Sequence, residues 1–282
     1  MLKINSFQKV ALSSYFVVLL LWIFLQTSGR TGDNVDNLNY WYSFLFGLIP
    51  LIGGLIGMFK SHIWGGLKSV LGKAIFFFSL GLFLWGFGEA IWSYYNFFMA
   101  EPAPYPSIAD IGFAPSIFFW ILGTWFLAQA SGAMHAFKNS KVAKTLSVVI
   151  SLTLAGVAYH MLINVARGGV LVPEGETALK TVLDIAYPLG DFLALIFATV
   201  VFALSRKYLG GFYRPAIASI LIGLAIMYFG DFSFSYTTTA GTFYNGNFGD
   251  LLLASGNFFM TFGVLGFASL PLVKKESAEE TK

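Results

Sequence analysis

Long apolar stretches recur throughout this 282-residue chain, and they constrain its fold more than any other feature. A helix needs about 20 apolar residues to cross the roughly 30 Å hydrocarbon layer of a membrane. Backbone groups in lipid must find their hydrogen bonds within the protein, and no barrel-like alternation is visible, so we predict helices. Eight stretches are long enough, near residues 9–27, 41–59, 73–97, 109–131, 144–166, 181–204, 213–236 and 249–273.

Composition supports a membrane protein and excludes several kinds of site. With 57% hydrophobic and 11% charged residues, the chain has too few polar side chains to cover a water-facing surface. It has no cysteine, which excludes disulfides and zinc–thiolate centres. No nucleotide-binding loop, metalloprotease motif or nucleophile elbow is present. We therefore predict an all-α integral membrane protein with no metal site, no cofactor, no nucleic-acid partner and no recognisable catalytic set.

Basic residues are concentrated on alternate loops of the predicted bundle. Of the 17 lysines and arginines, only Arg30, Arg167 and Lys180 fall on the opposite side from the rest. Because positively charged loops stay in the cytoplasm, we expect a multi-pass protein of the cell membrane with both termini cytoplasmic. The first span has an alternative interpretation as a cleaved signal peptide.

The second half of the chain repeats a pattern found in the first half. Phe87-Gly-Glu-x-x-x-Ser-Tyr94 matches Phe229-Gly-Asp-x-x-x-Ser-Tyr236, and Asp110-x3-Ala-x3-Phe-Phe119 matches Asp250-x3-Ala-x3-Phe-Phe259. Spans two to four therefore correspond to spans six to eight. Each unit has an even number of crossings, so the halves run parallel. The predicted layout is two four-helix repeats, at residues 1–140 and 141–274, with a cytoplasmic tail at 275–282.

Carboxylates inside the predicted spans are the main candidate ligand-binding groups. Glu89, Asp191 and Asp231 lie in spans three, six and seven, where the only basic residues, Lys73 and Arg214, stand at the cytoplasmic ends of spans three and seven, far from these acids. Because an unpaired carboxylate is costly in lipid, such groups stay protonated, bind a cation or line a wet cavity. A structural alternative is a carboxyl group hydrogen-bonded to a neighbouring side chain, for which Tyr94 and Tyr236 are candidates.

Three more residues complete the set of candidates. Asp110 and Asp250 begin spans four and eight in Ser-x-x-Asp and Asn-x-x-Asp patterns, which are typical of a capping box. Capping explains both residues without excluding a second role, because both face the same outer side as the buried carboxylates. His160 lies in the outer part of span five, with Asn164 one turn further on, as either a helix–helix hydrogen bonder or a ligand or proton group.

The residues that follow the third span resemble part of a known class of proteins. Trp92-x-Tyr94, followed by Pro104-Tyr-Pro-Ser-Ile-Ala-Asp110, is similar to the outer-loop pattern of certain multi-span bacterial and archaeal modules. Those modules precede diguanylate cyclase, phosphodiesterase or histidine kinase domains and act as membrane sensory inputs. The resemblance implies a sensor. This chain ends at Lys282 without an output domain, so we expect its signal to leave through a separate partner.

These observations favour one function and leave a second open. The leading prediction is a sensor-like or ligand-binding module with an acidic outer vestibule, in which a small molecule or cation shifts the packing of the helices. The alternative is a small cation- or proton-coupled transporter or channel, favoured by Asp191 near mid-bilayer and by the internal repeat. An intramembrane enzyme ranks third. The expected partners are the lipid bilayer, the ligand and a signalling protein.

Overall fold

The computed structural model describes residues 4–99, 104–132, 137–165, 167–172, 175, 177–204 and 214–268. Regular structure in these residues is helical throughout, without a strand. The long helices are α1 (Ser6–Thr27), α2 (Asn37–Lys60), α3 (Val70–Phe98), α4 (Asp110–Ala130), α5 (Lys141–Tyr159, continued as a π-helix over His160–Val165), α6 (Ala178–Leu204), α7 (Arg214–Thr239) and α8 (Phe248–Leu265).

The prediction of an all-helical fold with several potential membrane spans is confirmed. Among the described residues, 7 helices are long and apolar enough to cross a membrane. The remaining long helix, α6, is 27 residues in length but is not one of these seven. It carries Lys180, Asp184 and Asp191, and an eighth span there stays a prediction. The predicted end of the last span at residue 273 lies outside the described residues.

Polar residues mark the starts of several helices. The side chains of Asn5, Asp36, Ser69 and Asn247 each accept a hydrogen bond from a backbone N–H in the first turn of α1, α2, α3 and α8 respectively. Such caps satisfy backbone donors that have no partner inside the helix. The apolar stretches therefore begin as helices where the polar loops end.

Six of the helices form a closed ring. Helices α2, α3 and α4 pack in order along the chain, and α6, α7 and α8 do the same. Contacts between α4 and α6 and between α8 and α2 join the two sets. Helix α1 packs outside the ring against α2 and α8, and α5 packs outside it against α6. The interior of the ring is therefore shared by residues from both halves of the sequence.

Close contacts at glycine hold both α3 to α4 and α7 to α8. A β-carbon at Gly81 would lie 2.5 Å from the Trp120 ring, and one at Gly223 would lie 2.5 Å from Cγ of Met260. Only glycine allows the helices to approach this closely. Trp120 and Met260 each directly follow the repeated Phe-Phe pair. The contact of Gly81 with Trp120 in the first half is thus matched by the contact of Gly223 with Met260 in the second half.

Helix α1 lies along α8 and is tied to it by polar contacts. The Asn5 side chain donates to the carbonyl of Leu265 at 2.7 Å, near the first turn of α1. Further along, the hydroxyls of Tyr15 and Ser255 are 2.7 Å apart. Near its last turn, Gln26 donates to the carbonyl of Gly246 at 2.8 Å. Helix α1 therefore supports the whole length of α8 and the loop before it.

Candidate functional site

A cavity lies inside the ring at one end of the bundle. We call this end, where α1, α3, α5 and α7 finish and α2, α4, α6 and α8 begin, the acidic end. The cavity is lined by residues from all six ring helices and from the loops before α4 and α8. The space open to the centres of water-sized molecules is about 50 Å³. This corresponds to about four water molecules or one small ligand.

Four of the predicted site residues line this cavity together. Glu89, Asp110, Asp231 and Asp250 come from α3, α4, α7 and α8, and no lysine or arginine is among the described lining residues. We call this space the acidic cavity. Both members of each repeated pair, Glu89 with Asp231 and Asp110 with Asp250, are present. Four of the five carboxylates that the sequence singled out therefore line one cavity, and Asp191 is the exception.

Glu89 is the most isolated of the four. Its side chain is 5% exposed and packs over Gly47 of α2, where a β-carbon would collide with it. No hydrogen bond from another described residue reaches its carboxylate. Tyr94 cannot clamp it, because that side chain is 53% exposed and packs against Tyr95 and Phe98. Glu89 is thus a buried acid whose open side faces the cavity.

Asp231 has a second carboxyl group behind it. Asp191 of α6 is 0% exposed, and neither of its oxygens has a hydrogen-bond donor among the described residues. It interacts with the carboxyl group of Asp231 on α7. Two carboxylates close together in a buried site repel each other, so ionising both of them is costly. Tyr236 is partly exposed and does not line the cavity.

Asp110 and Asp250 do serve the starts of their helices. Asp110 accepts a hydrogen bond from the backbone N–H of Ser107 at 2.7 Å, and Asp250 accepts one from that of Gly246 at 2.6 Å. These are the return bonds expected of a capping box, although the Asp250 bond comes from the residue before the cap. Asp110 also accepts from the hydroxyl of Tyr187 on α6. Each carboxylate therefore helps to start a helix and also lines the cavity.

Asn245, which the sequence analysis did not single out, fixes the loop that covers the cavity. Its side-chain oxygen accepts hydrogen bonds from Trp92 at 3.1 Å, Asn96 at 3.3 Å and Ser43 at 3.2 Å. Its backbone carbonyl accepts another from Asn39 at 2.8 Å. The loop between α7 and α8 is thereby tied to the ends of α2 and α3. No sequence pattern marked this residue, since its partners are distant in the chain.

Aromatic side chains cover the cavity below that loop. The ring of Phe243 lies 6.0 Å from that of Trp92 and 5.1 Å from that of Phe234, centroid to centroid. Tyr105, from the loop before α4, lies 5.1 Å from Phe234 on the other side. All these pairs meet edge to face, a favourable geometry for aromatic rings. We call Trp92, Tyr105, Phe234 and Phe243 the aromatic roof.

The described basic residues at the acidic end pair with acids that do not line the cavity. Arg167 and Lys180 pair with Asp184, whose side chain is fully buried, and the Lys180–Asp184 distance is 3.2 Å. Arg30 pairs with Asp36 at 2.7 Å near the surface. Part of the first cluster could have been found in the sequence, because Lys180 and Asp184 are four residues apart and so lie on one face of a helix. None of these ion pairs involves a carboxylate that lines the cavity.

Asp184 also acts on the aromatic roof. Burial, and then the nearby Asp184 carboxylate, raise the pKa of the Tyr105 hydroxyl well above its usual value. The Tyr105 ring consequently stays neutral at any ordinary pH. Lys180 lies over the same ring, 5.9 Å from its centroid. The roof therefore already accepts one cation on the side where Lys180 approaches it.

His160 does not join the site. It lies in the π-helix that continues α5, its side chain is exposed, and its ring nitrogen is 3.2 Å from the side-chain nitrogen of Asn164. The one-turn pairing of these two residues is as the spacing predicted. The structure places both outside the lining of the acidic cavity.

Comparisons with known proteins do not extend this description. No family model matches the chain, and no curated protein or solved structure matches it either. The resemblance to membrane sensory input modules stays a prediction from the sequence. The observations identify an all-helical protein with several helices long and apolar enough to span a membrane, and the acidic cavity is its candidate functional site.

Proposed function

We propose that this protein binds a cation in the acidic cavity and acts as a membrane sensor that passes the event to a separate protein. One observation carries the proposal: four carboxylates line a single cavity, and one of them, Glu89, is buried without a hydrogen-bond partner among the described residues. Carboxylates confined in this way repel each other and are poorly solvated. A cation in their midst relieves both costs.

Binding would act on both halves of the bundle at once. The four carboxylates belong to α3, α4, α7 and α8, so a ligand between them draws these helices together. A ligand shifts a conformational equilibrium by its preference for one packing over another. The two-repeat layout, at residues 1–140 and 141–274, is part of this proposal. The matching glycine contacts and the paired α4–α6 and α8–α2 contacts support it.

The acidic end is proposed to face outwards, with the chain termini in the cytoplasm. Described lysines such as Lys60, Lys68 and Lys141 lie at the opposite end. Because the chain has no cysteine, single cysteines can report the orientation. Asp33→Cys should react with a membrane-impermeant maleimide on intact cells, whereas Lys141→Cys should react only after permeabilisation. Both positions are exposed, so the reverse result would mean the opposite orientation.

Cation binding is tested with a panel of simple probes. Purified protein is titrated with sodium, potassium, magnesium, calcium, methylammonium and tetramethylammonium chlorides by calorimetry at constant ionic strength. The proposal expects at least one of these cations to bind saturably, and it fails if none does. The same cations are then offered to vesicles containing the protein. Saturable binding without accumulation inside the vesicles is expected of a sensor.

A transporter is the second candidate, and the buried acid Asp191 favours it. A carboxyl pair such as Asp191 and Asp231, of which Asp231 lines the cavity and Asp191 lies behind it, is suited to accept or release a proton during transport. Against it, large buried side chains such as Trp120 and Met260 fill the ring below the cavity. Accumulation of a probe cation in vesicles that is lost in Asp191→Asn would establish the transporter and remove the sensor.

A further inference from the structure

We infer that the ligand of the acidic cavity is a small organic ammonium cation, held between the carboxylates and the aromatic roof. This inference rests on the proposed function, since it names the class of cation that the cavity takes. It is carried by three features of the lining: the spacing of the acids, the aromatic content and the size of the space.

The carboxylates are too dispersed to form a metal site. No group of three or more histidine, aspartate or glutamate side chains among the described residues is close enough to hold a metal ion. Calcium and magnesium need six or more oxygen ligands at short, defined distances. Asp110 and Asp250 also spend part of their hydrogen-bonding capacity on backbone N–H groups. Dispersed charge suits a larger cation, whose charge is itself spread over several atoms.

The aromatic lining favours an organic cation over a hydrated inorganic one. Half of the residues that line the cavity are aromatic, including the four of the roof. The negative face of an aromatic ring attracts a cation within about 6 Å of its centroid, and the attraction grows when water is excluded. An ammonium group that carries alkyl substituents also gains by burying its apolar surface. A metal ion would lose its hydration shell for few replacement ligands.

The size of the space limits the ligand. Room for about four water molecules accommodates an ammonium group with a few carbon atoms, but not a nucleotide or a sugar chain. The carboxyl group of Glu89, buried and without a hydrogen-bond partner among the described residues, is the acid that such a ligand would meet. Tetramethylammonium, a cation with five non-hydrogen atoms, is therefore a suitable probe.

The test compares tetramethylammonium with calcium and magnesium on the full chain, by calorimetry. We expect tetramethylammonium to bind more tightly than either metal ion. Phe243→Leu keeps an apolar side chain but removes the aromatic face, and should weaken tetramethylammonium binding about tenfold. Phe243→Tyr keeps the face and should retain binding. Phe248→Leu is the matched control, because Phe248 is 61% exposed and lies outside the cavity, so its replacement should change nothing.

Each outcome bears on a different part of the argument. Binding of calcium or magnesium without tetramethylammonium overturns the ammonium inference and leaves cation binding in place. If no cation binds, both the ammonium inference and the proposed cation binding are wrong. If Phe243→Leu and Phe243→Tyr weaken binding equally, the roof acts only as packing and the inference fails. Thermal unfolding of every variant is recorded alongside, so that a folding defect is recognised as such.

Discussion

Replacement of Glu89 by glutamine is expected to weaken cation binding more than any other single substitution in the cavity. Glutamine keeps the shape that packs over Gly47 and removes the charge. At an intermediate effective dielectric constant, a unit charge near the ligand contributes a few kcal/mol, so we expect an affinity about tenfold to a hundredfold lower. Calorimetric titration with tetramethylammonium measures the change.

A surface acid provides the control for Glu89→Gln. Asp33→Asn removes the same charge at the same end of the bundle, but Asp33 is exposed on the turn between α1 and α2. Its effect should be small and should vanish as salt is raised, because exposed charges are screened. Equal losses in the two variants would mean that the overall negative field, and not the cavity, attracts the cation.

Breaking the buried ion cluster beside the roof is expected to cause the largest loss of stability. In Asp184→Asn, Arg167 and Lys180 lose their shared carboxylate, and the Arg167 side chain is fully buried in the cluster. Removal of one partner of a buried ion pair typically costs about 3–5 kcal/mol, because the remaining charge loses a partner that offsets the cost of its burial. Reversible unfolding of the purified protein in mixed detergent and SDS micelles measures the change in unfolding free energy.

The exposed pair of Arg30 and Asp36 is the matched control for the buried cluster. Arg30→Gln should leave the unfolding free energy almost unchanged, since exposed ion pairs contribute little. The hydrogen bond from Arg30 lowers the pKa of Asp36 below its usual 3.8. The ion pair therefore contributes its full stability above about pH 3.8, and this contribution is lost as the pH falls through the lowered pKa of Asp36. If Arg30→Gln lowered the unfolding free energy as much as Asp184→Asn, burial of the ion cluster would not explain the effect of Asp184→Asn.

The main carboxylates of the site could be predicted from the sequence, and the reason is the repeated pattern. Glu89 and Asp231 occupy matching positions, as do Asp110 and Asp250, so one acid facing the ring interior implied that its counterpart did too. The length of the apolar stretches located the helices, because each one has to span the same thickness. Neither signal could show that all four acids line one cavity, which depends on how the helices close into a ring.

Other parts of the site depend on contacts that no local pattern encodes. Asn245 and Phe243 lie in a loop whose partners come from α2 and α3, and Tyr187 meets Asp110 across the contact between α6 and α4. Tyr94 was a candidate partner for Glu89 because the two residues are close in the sequence, but the structure places them apart. Tyr94 follows Glu89 by five residues, which is about 140° around an α-helix, so it points away from the cavity.

Cation binding in the acidic cavity is tested most directly by locating the bound cation in a crystal structure. Tetramethylarsonium has the shape and charge of tetramethylammonium, and its arsenic atom gives an anomalous signal in crystals of the protein. We expect one arsenic peak inside the acidic cavity, beside Glu89 and within about 6 Å of the Phe243 ring. Arsenic peaks only at the protein surface, or a cavity peak that persists unchanged in Glu89→Gln crystals, would contradict this expectation.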